Sequence, residues 1–211
     1  GAIVTKVVPR WVGGRGTQAG MMPEINTLDK YRDPAATFRD HPAIWGLDIG
    51  DEPSALDFPY YKDILAQLQV SFPGQFGYLC LYPNYAQAAQ NSETETISQL
   101  GTRTYEEYVA AYCESVPLDY LCYDFYPYSS SDKIPDYYEN MRIVADACTG
   151  TQRSLWIILQ VNSHNDTYWL STNQLRFQVN TSLAFGAESI IWSCYTAGWW
   201  CHQVIDKAGQ K

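Results

Sequence analysis

Positive charge is scarce in this 211-residue chain: 14 Lys and Arg stand against 23 Asp and Glu, for a net charge of −9. The sequence carries no basic footprint to release counterions from a phosphate backbone, which argues against nucleic acid and an anionic membrane surface as partners. Histidine is equally sparse. His41, His164 and His202 lie far apart, and the cysteines at 80, 113, 122, 148, 194 and 201 form no CxxC pair. Metal-ligand spacing is therefore missing, and no cofactor is called for. Buried free thiols are the expectation for the six cysteines, with disulfides the alternative. Long apolar runs are absent too, since stretches such as 154–161 are far too short to cross a bilayer. The chain does not open on a signal-peptide pattern, so none is expected within it, although one could have been removed. The glycine-rich loop Gly13-Gly-Arg-Gly16 lacks the Lys-Ser/Thr of a phosphate loop, which argues against a nucleotide site. No linker, low-complexity tract or internal repeat divides residues 1–211, which are expected to form one domain.

What the chain has in abundance is aromatic side chains. Seventeen Tyr, seven Trp and seven Phe make up 15% of it. Tyr and Trp join a flat apolar face to a polar handle, so they suit both core filling and stacking against sugar rings. The second reading fits a secreted microbial enzyme with an acidic, tyrosine-rich surface.

Short apolar or β-branched runs alternate with longer amphipathic ones. Strands are expected over 2–8, 43–49, 75–81, 120–125, 155–161 and 189–194. Helices are expected after Asp33-Pro34, over 58–72 with Tyr61, Leu65 and Leu68 in one stripe, and after the capping box Thr104-Tyr-Glu-Glu107. Two more are expected over 137–148, ending near Gly150, and over 172–185, with Leu175, Val179 and Leu183 inward and a stop at Gly186. This alternation implies an α/β fold with a parallel sheet and helices outside it, either doubly wound or a (β/α)8 barrel.

In such folds the C-terminal strand ends converge on one ligand-binding face. Here those ends carry Arg10 and Trp11, Asp48 to Pro53, Tyr82 to Tyr85, Asp124 to Tyr128, Gln160 with Asn162 and His164, and Tyr195 with Trp199 and Trp200. Alternation puts Asp48, Gly50 and Glu52 on one face of their strand. Cys122, Asp124 and Tyr126 share a face, as do Trp156, Ile158 and Gln160. Glu52 among Trp and Tyr can have its pKa raised and act as a general acid; the alternatives are a helix cap or a pairing with Arg. The long segment 84–104 is expected to be a loop, either a lid over that face or a surface insertion.

The segment His41-Pro-Ala-Ile-Trp-Gly-Leu-Asp-Ile-Gly-Asp-Glu-Pro53 resembles the fourth strand of the retaining TIM-barrel glycoside hydrolases, the clan of the β-galactosidases and many cellulases. Tyr123-Asp-Phe-Tyr-Pro127 is similar to that clan's sixth strand. Leu183-Ala-Phe-Gly-Ala187 with Ile190-Ile-Trp192 resembles its last helix and eighth strand. The resemblance implies that Glu52 is the acid/base. The position of the clan's nucleophile holds Gln160, an amide, so the second carboxylate is Asp124, a loop residue such as Glu24, Glu93 or Glu95, or absent from a protein that binds without hydrolysing. Tyr82, Asn84, Tyr126, Gln160 and Trp192 would line the subsite, with Trp199 and Trp200 as stacking platforms.

Six β/α units in 211 residues average about 35 each, whereas eight need about 250 residues. The resemblance therefore implies a (β/α) barrel-like fold of about six parallel strands that lacks the first two. It would be either a fragment or an incomplete barrel whose open edges a second copy covers. The expected activity is hydrolysis of β-linked oligo- or polysaccharides; the rival is a silent carbohydrate-binding protein on the same fold. An enzyme using Cys80 or Cys122 as a nucleophile is a third possibility.

Overall fold

The apolar runs form strands close to where the sequence places them. The computed structural model describes residues 2–4, 16–23, 42–89, 98–128, 133–163, 168–194, 201–202 and 204. Among these, strands β1 (Ala2–Val4), β2 (Ile44–Asp51), β3 (Phe76–Cys80), β4 (Tyr120–Phe125), β5 (Ser154–Gln160) and β6 (Ala187–Ser193) alternate with helices. The helices are α1 (Phe58–Ser71), α2 (Tyr105–Ser115), α3 (Ile134–Thr151) and α4 (Thr172–Ala184). Every strand pairing is parallel, in two three-stranded sheets of order β1-β2-β3 and β4-β5-β6. The fold is α/β with parallel sheets, as expected. The first helix expected, after Asp33-Pro34, lies outside the described residues, as do positions 5–8 of the first strand.

The chain divides into two compact units, one of residues 1–82 and 86–118, the other of residues 83–85 and 119–211. In the first, α1 buries Phe58, Tyr61, Ile64, Leu65 and Leu68, the i, i+3, i+4, i+7 stripe of a helix lying on a sheet. Leu47, Ile49 and Leu79 meet it from the strands. Gly50 makes this approach possible: a Cβ there would sit 2.5 Å from the Tyr61 ring. Helix α2 starts on the capping box the sequence announces, with Thr104 Oγ1 accepting from the Glu107 N–H and Glu107 Oε2 accepting from the Thr104 N–H. Its buried stripe includes Tyr105, Tyr108 and Tyr112.

In the second unit, Tyr123, Phe125, Tyr137, Met141, Val144, Ile157 and Leu159 form the core. Helix α3 begins three residues before the expected start, because Pro135 in its first turn is compatible with a helix there. Gly150 is helical, and the left-handed residue that closes the helix is Gln152, with φ of 57°. Helix α4 also departs from its apolar pattern. Its buried residues are Gln178 and Ser182, while Leu183 is exposed. Hydrogen bonding decides that face, because the Gln178 side chain takes backbone groups at the end of β5 that would otherwise be buried and unpaired. Gly186, with φ of 85°, ends the helix as expected. All six cysteines are free thiols.

Gly50→Ala is expected to lower stability by about 1–3 kcal/mol, the usual cost of forcing atoms into a filled core. Urea denaturation measures it; a midpoint equal to that of the unsubstituted protein would show that Tyr61 moves aside freely.

Candidate active site

Glu52 sits one residue beyond β2, and local backbone geometry sets its position. The β2–β3 register runs Asp48↔Tyr78 and then Gly50↔Leu79, so Ile49 is an extra residue, a bulge. Asp48 Oδ1 accepts the Gly50 N–H at 3.1 Å, satisfying a donor beside the bulge. Glu52 itself has φ of 48°, the left-handed region that a non-glycine residue enters at a cost. Its N–H donates to Cys80 O at 2.9 Å, so it is tied to the end of β3. The simple alternation expected through 48, 50 and 52 therefore does not run unbroken, since bulge and φ both re-aim the chain.

The residues after Glu52 are fixed from several sides. The Tyr108 hydroxyl donates to Pro53 O at 2.7 Å and accepts the Tyr82 N–H at 3.3 Å, while the Tyr105 hydroxyl donates to Tyr82 O at 2.9 Å. Two tyrosines of α2 thus clamp the chain beyond β2 and β3. Complete burial holds the Tyr108 hydroxyl well above the usual phenol range, and neighbouring charge, including that of Glu52, adds to the rise. Ser54 caps the 3₁₀ turn Ala55–Asp57, its side chain accepting the Leu56 N–H, and Asp57 stands at the N-cap position of α1. Asp57 is fully buried and accepts the Gln18 N–H at 2.8 Å, and burial raises its pKa against the opposing pull of backbone hydrogen bonds.

The expected loop contains no helix or strand among its described residues between β3 and α2, yet it is anchored. Ala89 N–H donates to Thr102 O and Leu100 N–H to Gln87 O, while Leu100 O accepts the Ala55 N–H at 2.9 Å. The loop therefore closes on itself and holds the turn that follows Glu52. Residues 90–97, with Glu93 and Glu95, lie outside the described residues, as do Arg10, Trp11, Glu24, His41, His164, Tyr195, Trp199 and Trp200.

In the second unit, β4 and β5 pair in unbroken register, Cys122↔Trp156 and Asp124↔Ile158. Asp124 is half-buried near the end of β4, and Tyr126, also half-buried, follows the strand. Gln160 is fully buried and its amide is occupied: Oε1 accepts the Tyr128 N–H at 2.9 Å and Nε2 donates to Asn162 O at 3.0 Å. Its backbone N–H and C=O are both bonded to the Gln178 amide at 2.9 Å. The residue expected to line a subsite is thus a clamp joining the segments after β4 and β5. Trp192 pairs with Leu159, and Leu159 with Phe125, so it shares their face of the sheet, opposite to that of Asp124 and Gln160. Asn84 belongs to this unit. Its N–H donates to Asn140 Oδ1 at 2.6 Å and its Nδ2 to Asp136 O at 3.1 Å, while its Oδ1 is buried without a hydrogen-bond partner.

Each unit therefore assembles part of the expected set, Glu52 with Tyr82 in one and Asn84, Asp124, Tyr126 and Gln160 in the other. The tyrosine clamp of α2 and the Gln178 bridge were missed. The capping box and Tyr stripe marked the first element, but nothing in the sequence gave the hydroxyls' partners. Cys80 and Cys122 are both buried, so neither thiol is presented as a nucleophile. Among the described residues no cluster of three or more His, Cys, Asp or Glu is placed to hold a metal, and no helix is long and apolar enough to cross a membrane.

Tyr108→Phe removes the hydroxyl shared by Pro53 and Tyr82 and leaves buried backbone groups unpaired. The expected loss is about 1–3 kcal/mol in chemical denaturation; an unchanged unfolding midpoint would mean that the clamp is dispensable.

No family model and no curated protein matches the chain. Its backbone is similar to those of several solved structures, among them the following two. One is a Bacteroides thetaiotaomicron protein described as a candidate alpha-L-fucosidase, with 10% identity and a TM-score of 0.52 over 75% of this chain and 51% of that one. The other is an endoglucanase, with 13% identity and a TM-score of 0.51 over 84% of this chain and 59% of that one. The chain spans between half and three-fifths of the length of these structures, and what it shares with them is an α/β fold of parallel strands and helices.

Proposed function

We propose that the chain is a glycoside hydrolase on a (β/α) barrel-like fold, and that it cleaves β-linked oligo- or polysaccharides with Glu52 as general acid/base. The observation that carries this reading is the setting of Glu52. A carboxylate stands one residue beyond a parallel strand, in a left-handed backbone locked to Cys80 O and followed by a clamped Pro53. Strain held in place by surrounding structure at a strand end is characteristic of functional residues. The fold shared with the two solved structures and the Asp51-Glu52-Pro53 motif support the same conclusion.

In this mechanism Glu52 protonates the glycosidic oxygen as the bond breaks. A second carboxylate either activates water to attack the anomeric carbon or attacks that carbon itself, giving a glycosyl-enzyme that water, deprotonated by Glu52, then hydrolyses. Asp124 is the proposed second carboxylate. A separation of about 5 Å between the two would give retention, and one of about 6.5–9.5 Å inversion. The anomer released, followed by proton NMR, distinguishes the two outcomes.

A second reading is favoured by one observation: Gln160, at the position of the clan's nucleophile, is an amide spent on internal hydrogen bonds. On that reading the chain binds sugars without hydrolysing them. Glu52→Gln, assayed against β-linked oligosaccharides and plant β-glycans, separates the two. An enzyme is expected to lose about 10²–10⁴-fold in turnover while keeping affinity, the usual contribution of general acid catalysis. Binding by both proteins with turnover by neither would establish the silent binder.

A further inference from the structure

Trp169, between β5 and α4, is the most exposed tryptophan described, at 68%. Its ring is nevertheless supported. The His202 ring lies against it, with centroids 3.4 Å apart and planes inclined by 31°. Backbone pairing brings the two segments together: Ser163 N–H donates to Cys201 O at 2.8 Å and Cys201 N–H to Ser163 O at 2.9 Å, an antiparallel bridge joining the segments after β5 and β6. His202 follows directly, in a left-handed conformation with φ of 53°. On the other side of the tryptophan, the Tyr168 hydroxyl accepts from Gln174 Nε2. Gln174 is also half of the capping box with Ser171 that starts α4.

An indole held on both sides of the chain and mostly exposed is a preorganised apolar surface. With the His202 ring against it, the indole has less freedom left to lose when a ligand arrives. The net charge of −9 disfavours a polyanion. A pyranose ring of a β-linked chain fits the chemistry, because its C–H face meets the electron-rich ring face while its hydroxyls stay in water. We propose that Trp169, backed by His202, is a stacking platform for one pyranose unit of a β-linked glycan. The choice of ligand rests on the sugar-directed reading above, but the platform requires binding only and no hydrolysis.

The test is affinity electrophoresis of the full chain through gels containing a soluble β-glucan, with aryl β-glycoside hydrolysis measured in parallel. The unsubstituted protein is expected to be retarded, and Trp169→Ala to weaken the interaction about three- to tenfold, the scale of one aromatic contact. Trp169→Phe, which keeps a ring, is expected to retain most of the affinity, and His202→Ala to fall between. Retardation of Trp169→Ala equal to that of the unsubstituted protein overturns the platform, and so does an unsubstituted protein that hydrolyses aryl glycosides but is not retarded. Retardation that depends on Trp169 in a protein without hydrolytic activity supports the platform and defeats the hydrolase reading instead. A change in sedimentation rather than in glycan binding for Trp169→Ala overturns the platform in favour of a contact between copies of the chain.

Discussion

A parallel strand that stops before its neighbour leaves backbone N–H and C=O groups with no ladder to join, and a buried group of that kind must be paired by something else. Both units meet this demand with side chains from their helices. In the first, Tyr105 and Tyr108 of α2 supply hydroxyls to Pro53 O, Tyr82 N–H and Tyr82 O. In the second, the Gln178 amide of α4 takes both backbone groups of Gln160, whose own amide then holds Tyr128 and Asn162. The arrangement gives the buried Tyr105 and Tyr108 hydroxyls their partners. It also explains why α4 turns glutamine and serine inward.

The same constraint shapes the candidate site. Glu52 can occupy a left-handed conformation because its N–H is bonded to Cys80 O and the next carbonyl is fixed by Tyr108. Leu100 O and buried Asp57 then secure the turn that follows. Backbone fixed in this way gives the Glu52 side chain a set point of departure at the end of β2, which is the positioning that the proposed acid role calls for.

Much of the fold was legible because it follows from periodicity and local chemistry. The apolar runs marked β2 to β6, and Thr104 and Glu107 marked the start of α2. Tyr61, Leu65 and Leu68 marked the buried face of α1. The features that escaped depend on partners distant in sequence. An extra residue at Ile49 breaks an alternation that looks regular when written out. Gln160 reads as a ligand-facing amide until its four hydrogen bonds to Tyr128, Asn162 and Gln178 are known. The face of Trp192 depends on register with β5, and the support beneath Trp169 depends on the Ser163–Cys201 bridge. Glu52 was legible as a candidate from its motif and strand end; its strained backbone was not.

The acid role of Glu52 is tested most directly by leaving-group dependence. Dinitrophenolate departs without a proton, whereas a sugar hydroxyl does not. Glu52→Ala should therefore keep kcat/KM for a dinitrophenyl β-glycoside within about tenfold of the unsubstituted value, yet lose about 10²–10⁴-fold in kcat/KM on a β-linked oligosaccharide. Equal losses on both substrates, or a loss on neither, would contradict the assignment of Glu52 as the proton donor.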